Sequence, residues 1–102
     1  MKTTTKKLKP IHPGEILFEE FLKPLNIAQY KLANDLDVPR TRISQIIRGE
    51  RSITADTALR LARYFGTSSQ FWMNLQMHYE LRSEEQSKGD YISKRVPIFA
   101  AA

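Results

Sequence analysis

The chain contains no cysteine, only four glycines and no long hydrophobic run. The absence of cysteine excludes disulfides, thiolate metal ligands and cysteine nucleophiles. No apolar stretch approaches the roughly 18 residues that span a bilayer. The basic start MKTTTKKLKP is not followed by an apolar signal region. These absences favour a cytoplasmic protein with no membrane contact.

The residue types that usually carry catalysis are sparse and scattered. The glycines are isolated, so no phosphate-cradling loop is predicted. His12 and His78 are too far apart for a metal motif, so we expect no metal and no cofactor. We interpret His12 as a helix N-cap and His78 as a helix-surface residue. Glu19 and Glu20 diverge by about a quarter turn on a helix, which is wrong for an acid and base pair. A nuclease is therefore disfavoured, and we expect a non-enzyme.

The composition fits one small helical domain. Of the 102 residues, 41% are hydrophobic, which is enough for a single modest core. The 16 Lys and Arg residues outnumber the 11 Asp and Glu residues, leaving a formal charge of +5. Such an excess favours binding to a polyanion such as nucleic acid.

Residues 29–49, QYKLANDLDVPRTRISQIIRG, have the spacing of two short helices joined by a tight turn. Small or apolar residues occupy the positions that such a unit buries: Leu32, Ala33, Leu36, Val38, Ile43, Ile46 and Ile47. The pattern predicts a helix-turn-helix, a unit whose second helix enters the major groove of DNA.

Four residues support the predicted turn. Ala33 is small enough for a close crossing of the two helices. Asp37 occupies the turn, and aspartate is one of the few non-glycine residues that adopt left-handed backbone angles at modest cost. We expect Pro39 to open the second helix, because its φ is preset and the N–H it lacks would be unpaired there. Gly49 is the expected helix stop.

The second helix of the motif is polar and basic outside its apolar face. The residues expected to read base edges are Arg40, Thr41, Arg42, Ser44 and Gln45. The residues expected to contact phosphates are Gln29, Tyr30, Lys31, Arg48 and Arg51. Arg42 also suits a phosphate contact. The alternative is a solvated helix face, with Gln29 as a cap and the arginines paired with carboxylates such as Glu50.

Three further helices are predicted around this motif. The first opens at Pro13 and ends at Pro24 and Asn26. Its apolar positions are Ile16, Leu17, Phe21 and Leu22. The fourth follows Thr54 as N-cap and ends at Gly66. Its expected buried positions are Ala58, Leu59, Leu61, Ala62 and Phe65.

A fifth helix is expected to follow Ser68 or Ser69 as its cap. It carries the most aromatic surface of the chain, with Phe71, Trp72 and Tyr79 at helical spacing. These three residues exceed what so small a core needs, so we expect them to contribute to a homodimer interface as well as to the core.

The pattern dissolves after about residue 83, where residues 91–96 could form a short strand. The predicted divisions of the chain are a flexible basic arm at 1–9, a helix-turn-helix domain at 10–82 and a C-terminal tail at 83–102.

Several sequence blocks occur together in a family-specific order: HPGEIL at 12–17, QYKLA at 29–33, RTRIS at 40–44, ITADTALRLARYFGTS at 53–68 and FWMNLQ at 71–76. On these blocks, residues 10–81 resemble the HigA family of addiction-module antitoxins, which includes virulence-associated protein I. The resemblance implies an all-α, five-helix fold of the lambda-repressor type. It also implies a homodimer that represses its own operon on double-stranded operator DNA and neutralises a RelE-like ribonuclease toxin.

The sequence departs from the family pattern in three respects. Ala28 stands where serine or threonine usually caps the second helix, and the missing cap should cost about 1 kcal/mol. Arg48 stands where asparagine is frequent, which favours a phosphate contact over a base contact. The net positive charge differs from the acidic balance common among such antidotes and weakens the toxin-binding inference.

Two alternatives to the autorepressor stay open at this stage. One is a stand-alone helix-turn-helix regulator without a toxin, and the other is a protein-binding inhibitor whose DNA-binding motif is vestigial. Specific binding to upstream DNA would favour a regulator. A stable complex with a co-encoded small basic protein, without DNA binding, would favour the inhibitor.

Overall fold

A computed structural model of the protein describes residues 9–100, which form helices and no strand. Helix α1 is continuous through three segments, Pro13–Ile16, the π-helical Leu17–Leu22 and Lys23–Leu25. The helices that follow are α2 at Gln29–Leu36, α3 at Arg40–Ile47, α4 at Ala55–Phe65 and α5 at Ser69–Arg95. The expected all-α, five-helix architecture is thereby confirmed. The predicted basic arm lies outside the described residues except for Lys9.

Helix α1 begins as predicted but continues past Pro24. The Nδ1 atom of His12 accepts the N–H of Gly14 at 2.9 Å, so His12 is the N-cap. The helix ends only at Asn26, whose φ of 56° is left-handed. Pro24 is tolerated because the preceding segment is π-helical, with the Lys23 N–H donating to the Phe18 carbonyl, and this wider turn changes the hydrogen-bond register where proline has no N–H.

The turn between α2 and α3 confirms most of the expected local structure. Ala28 precedes α2 without a side-chain cap hydrogen bond. Asp37 adopts left-handed angles of 59° and 49°, and the Val38 N–H donates to the Ala33 carbonyl at 3.0 Å. Pro39 is the N-cap of α3, with φ −62° and ψ 146°, rather than its first helical residue as predicted.

The ends of the next helices also follow the sequence. Gly49 and Gly66 have φ values of 78° and 74°, which confirms both as helix stops. The Thr54 hydroxyl accepts the N–H of Thr57 at 3.4 Å. The Ser68 hydroxyl accepts the N–H of Phe71 at 3.0 Å and caps α5.

The core is built mainly from the apolar faces expected. Its buried hydrophobic members are Leu17, Leu22, Leu32, Ala33, Leu36, Ile43, Ile46, Ile53, Ala58, Leu61 and Trp72. The expected burial of Leu59 is wrong, since its side chain is 62% exposed. Ala58 and Leu61 define the inward face of α4, and Leu59 lies about 200° around the helix from Leu61.

Helix α5 is longer than predicted. The possible strand at residues 91–96 is wrong, because the helix runs to Arg95. A single Gly89 weakens a helix by only about 1 kcal/mol relative to alanine, and the first strong stop is Pro97. Val96, directly before that proline, is extended with φ −104° and ψ 110°. Despite this length, no helix within residues 9–100 is both long and apolar enough to cross a membrane.

Candidate nucleic-acid interface

Helix α3 is held by its apolar face against the body of the protein. Ile43 and Ile46 are fully buried. Gly14 of α1 lies against the backbone of α3, where a Cβ would overlap the carbonyl group of Ile46. This close crossing fixes the depth at which α3 sits, so its opposite, polar face is presented outward.

The outward face joins the N-termini of α2 and α3. Arg40 and Thr41 are exposed, and Ser44 is half-buried. Together with Gln29 and Tyr30 from α2, these three residues line one cavity of about 340 Å³. The structure therefore brings together three predicted base-reading residues and two predicted phosphate contacts.

Tyr30 also forms a cation–π contact within this site. The guanidinium carbon of Arg40 lies 5.5 Å from the centroid of the Tyr30 ring. Such a stacked cation is attracted by the negative face of the ring. Tyr30, which is predicted to contact a phosphate, therefore also restricts where the Arg40 guanidinium can lie.

Gln45, which is expected to read a base, and Arg51, which is expected to contact a phosphate, are joined by a hydrogen bond. The Nε of Arg51 donates to Oε1 of Gln45 at 2.8 Å. The bond orients the Gln45 amide and places the Arg51 charge beside the end of α3. Sequence spacing gives no signal of it, because Arg51 follows the turn at Gly49.

Arg42 differs from the other predicted base-reading residues. Its Nη1 forms an ion pair with Oδ2 of Asp56 at 2.7 Å, and only 26% of its side chain is exposed. Arg60 bonds the same oxygen at 3.0 Å and also donates to the Leu36 carbonyl at 2.8 Å. The hydrogen bonds from Arg60 and then Arg42 lower the pKa of Asp56. Base reading by Arg42 stays a prediction, and this ion pair weighs against it.

Arg48 pairs with Glu50, the carboxylate named as its alternative partner. Two nitrogens of the Arg48 guanidinium donate to the two Glu50 oxygens at 3.2 and 3.1 Å. The hydrogen bond from Arg48 lowers the pKa of Glu50. Both side chains are 56% exposed, and an exposed pair of this kind contributes little to stability. A phosphate can therefore compete for Arg48 at small cost.

Lys31 belongs to a network that ties α2 to α4. Its Nζ pairs with Oδ2 of Asp35 at 2.9 Å, and the Tyr64 hydroxyl donates to the same oxygen at 2.6 Å. The Tyr64 hydrogen bond and then the Lys31 hydrogen bond lower the pKa of Asp35. The phosphate contact assigned to Lys31 remains a prediction. This network was not predicted from the sequence, although the four-residue spacing of Lys31 and Asp35 is a detectable signal of their ion pair.

The predicted aromatic stripe on α5 is divided between core and surface. The expectation that Trp72 is exposed at an interface is wrong, because its side chain is 0% exposed and its Nε1 donates to Thr67 at 2.7 Å. Phe71 is 37% exposed. Tyr79 is half-buried, with its ring centroid 4.8 Å from that of His12. The α1 N-cap therefore covers part of Tyr79, while Phe21 of α1 packs against Phe71 and Trp72.

Comparisons with known proteins agree with this arrangement. A helix-turn-helix family profile matches residues 18–72. Virulence-associated protein I of Dichelobacter nodosus is 52% identical over 82 residues, covering 80% of this chain and 76% of the relative. Antitoxin HigA-1 of Vibrio cholerae is 33% identical over 93% of this chain and 90% of the relative.

A solved structure provides the three-dimensional comparison. The Pseudomonas aeruginosa antitoxin HigA with the higBA promoter has a TM-score of 0.87 and 44% identity, covering 90% of this chain and 100% of that one. The chain belongs to the helix-turn-helix family, in the group that contains the HigA antitoxins and virulence-associated protein I.

Proposed function

We propose that this protein is a sequence-specific DNA-binding repressor that inserts α3 into the major groove of its own operator. The observation that carries the proposal is the outward surface of α3, where Arg40, Thr41 and Ser44 share a cavity with Gln29 and Tyr30. Guanidinium, hydroxyl and amide groups are the side-chain groups that form hydrogen bonds with base edges and phosphates. The similarity to a HigA structure described with its promoter supports the same use of this surface.

The proposed contacts divide by position. Arg40 and Gln45 read bases from α3. Gln29, at the N-terminus of α2, binds a phosphate, since helix N-termini favour anions. Arg48 and Arg51, at and just beyond the end of α3, bind the flanking backbone. The net charge of +5 adds attraction that does not depend on sequence.

We also propose that the protein acts as a homodimer, because one recognition helix reads only a few base pairs and a two-fold axis doubles the site. The dimer represses its own operon as the antitoxin of a toxin-antitoxin module. Its second partner is a RelE-like ribonuclease toxin encoded beside it. The antitoxin names of its relatives support this second role.

The first experiment measures DNA binding by fluorescence anisotropy. The ligands are a duplex from upstream of the gene and a duplex of the same composition with scrambled sequence, each at several salt concentrations. We expect the upstream duplex to bind at least about 1,000-fold more tightly, as specific sites do. Equal affinity for both duplexes would refute sequence-specific repression.

The toxin role needs a separate measurement. The neighbouring open reading frame is expressed alone and together with this protein, and growth and mRNA cleavage are followed. Relief of cleavage with formation of a stable complex is the expected result. A complex formed by a protein that fails the DNA experiment would instead favour the inhibitor with a vestigial motif.

A further inference from the structure

The C-terminal half of α5 extends beyond the folded body. Gln76 is the last buried residue of the helix, and residues 77–95 are exposed except for partial burial at three positions. The described chain measures 55 Å along its longest axis but only 22 Å along its shortest. A helical segment with so few packing contacts is marginally stable in water. Residues 77–95 are therefore the part of the helix that would be stabilised most by packing against a second surface.

One face of the extension carries a regular set of side chains, which we call the α5 stripe: Met77, Leu81, Glu85, Lys88, Ile92 and Val96. Successive members are separated by four, four, three, four and four residues, so they follow one side of the helix. Its apolar members are 50%, 58%, 47% and 61% exposed in chain order. Val96 is the C-cap, and its N–H still donates to the Ile92 carbonyl at 2.8 Å.

The α5 stripe is complementary to itself when the direction of the chain is reversed. The order of spacings is the same from either end, with two apolar residues at each end and opposite charges in the middle. A two-fold axis between residues 86 and 87 would place Leu81 against Ile92 of the second copy. The same axis places Glu85 against Lys88 of the second copy, and Met77 against Val96.

We propose that the α5 stripe is the dimer interface and that it packs antiparallel against the α5 stripe of a second copy. The proposal rests on the proposed function, since a repressor that reads two half-sites requires a dimer. A parallel pair in register would instead set Glu85 against Glu85 and Lys88 against Lys88, which like-charge repulsion disfavours. In the antiparallel pair, the apolar residues exclude water at both ends of the interface. The ion pairs between Glu85 and Lys88 of the two copies fix its register.

The antiparallel arrangement also separates the two DNA-binding domains. Helices rise about 1.5 Å per residue, so this register puts the two Trp72 positions roughly 44 Å apart along the pair. That length is comparable with the spacing of roughly 34 Å between half-sites one helical turn apart. The recognition helices stay free at opposite ends of the dimer.

Charge reversal tests the pairing of Glu85 with Lys88. In sedimentation equilibrium of the full chain, Glu85→Lys and Lys88→Glu should each raise the dimer dissociation constant at least about tenfold, because each change places like charges together twice. The double variant E85K/K88E should return it to the wild-type range. Asp90→Lys makes the same kind of charge reversal half a turn around the helix from Leu81, outside the α5 stripe. It should leave the dimer dissociation constant unchanged. Circular dichroism checks that helix content is kept, because Lys88 also pairs with Glu84 at 3.5 Å.

Cysteine cross-linking tests the direction, since the natural chain has no cysteine. Leu81→Cys and Ile92→Cys should form an oxidised dimer when mixed, whereas neither should cross-link alone. Self-cross-linking of Leu81→Cys would overturn the antiparallel register. A Glu85→Lys protein that dimerises like wild type, or a double variant that is not restored, would also overturn the interface. If such a protein still bound operator specifically, the proposed function would stand without this interface.

Discussion

Arg40 is the side chain on which base reading should depend most. It projects from the first turn of α3, and Tyr30 restricts its head group at 5.5 Å. Arg40→Ala should cost about 1 to 3 kcal/mol against the operator and relax the preference at one base pair. Anisotropy titrations on a set of single-base operator variants measure this. Equal weakening on operator and scrambled DNA would mean that Arg40 binds phosphate.

Arg51 should affect affinity and salt dependence in a different way. Arg51→Ala should weaken both operator and scrambled DNA, with a somewhat larger loss on operator, and reduce the slope of log affinity against log salt by roughly 0.9. Because Arg51 also orients Gln45 through a 2.8 Å hydrogen bond, the double variant with Gln45→Ala should be less than additive on operator. Arg63→Ala, an exposed cation on α4, is the matched charge control. If the losses of binding free energy on operator were additive, the hydrogen bond between Arg51 and Gln45 would not contribute to operator binding.

His12 should make stability depend on pH. Burial lowers the pKa of His12 below its ordinary value of about 6.5, partly offset by a backbone hydrogen bond with Arg51. The folded state therefore prefers the neutral ring, whose Nδ1 caps α1. Below about pH 6.5 the unfolded chain takes up this proton more readily than the folded chain. The free energy of unfolding should therefore have its maximum value above about pH 6.5 and decrease as the pH falls towards the pKa of His12 in the folded state.

Urea unfolding at pH 7.5 and 5.5 measures this dependence. His12→Asn is the control, since its amide oxygen can still cap the helix but does not titrate in this range. Asp35, Glu50 and Asp56 have lowered pKa values and titrate at lower pH. An unchanged pH dependence in His12→Asn would assign the effect to another group.

At the scale of elements, the crossing of α1 and α3 is the most sensitive packing contact. A Cβ at Gly14 would overlap the Ile46 carbonyl and approach within 3.0 Å of Ile47 Cα, and backbone atoms cannot rotate away. Gly14→Ala should lower the free energy of unfolding by about 1 to 3 kcal/mol. Because it displaces α3, it should also weaken operator binding. Chemical denaturation and anisotropy measure the two effects.

Gly89 provides the matched control for this substitution. It also lies within a helix, but a Cβ there would meet nothing within 4 Å. Gly89→Ala should stabilise the protein by up to about 1 kcal/mol through helix propensity alone. If Gly14→Ala were as stable as Gly89→Ala, the two helices would not be held at the distance described.

The helix boundaries could be predicted wherever a cap or a stop lies within a few residues. His12, Asp37, Thr54 and Gly66 act as their residue types suggest, since each needs only neighbouring backbone groups. The end of α5 could not be found this way. Its exposed half lacks a repeating apolar face of the usual width, and no strong stop intervenes before Pro97.

At the scale of the whole molecule, the proposed dimer should make operator binding depend on two half-sites. Deleting one half-site should weaken affinity by more than about 100-fold, because several base contacts worth about 1 to 3 kcal/mol each are lost. Inserting about five base pairs between the half-sites should have a similar effect, since half a helical turn puts them on opposite faces. Both duplexes are compared with the intact operator by anisotropy at one salt concentration. Full affinity for a single half-site would be evidence for binding as a monomer.

The sequence by itself determined the helix-turn-helix, the left-handed turn at Asp37 and the polar character of α3. These features depend on side-chain periodicity and on backbone preferences within a few residues. Tertiary structure decided which polar groups remain available to DNA. Arg42 is paired with Asp56, 14 residues away, and Asp35 with Tyr64, 29 residues away. Such partners meet only when α4 packs across the motif, because local spacing does not encode the contact between distant helices.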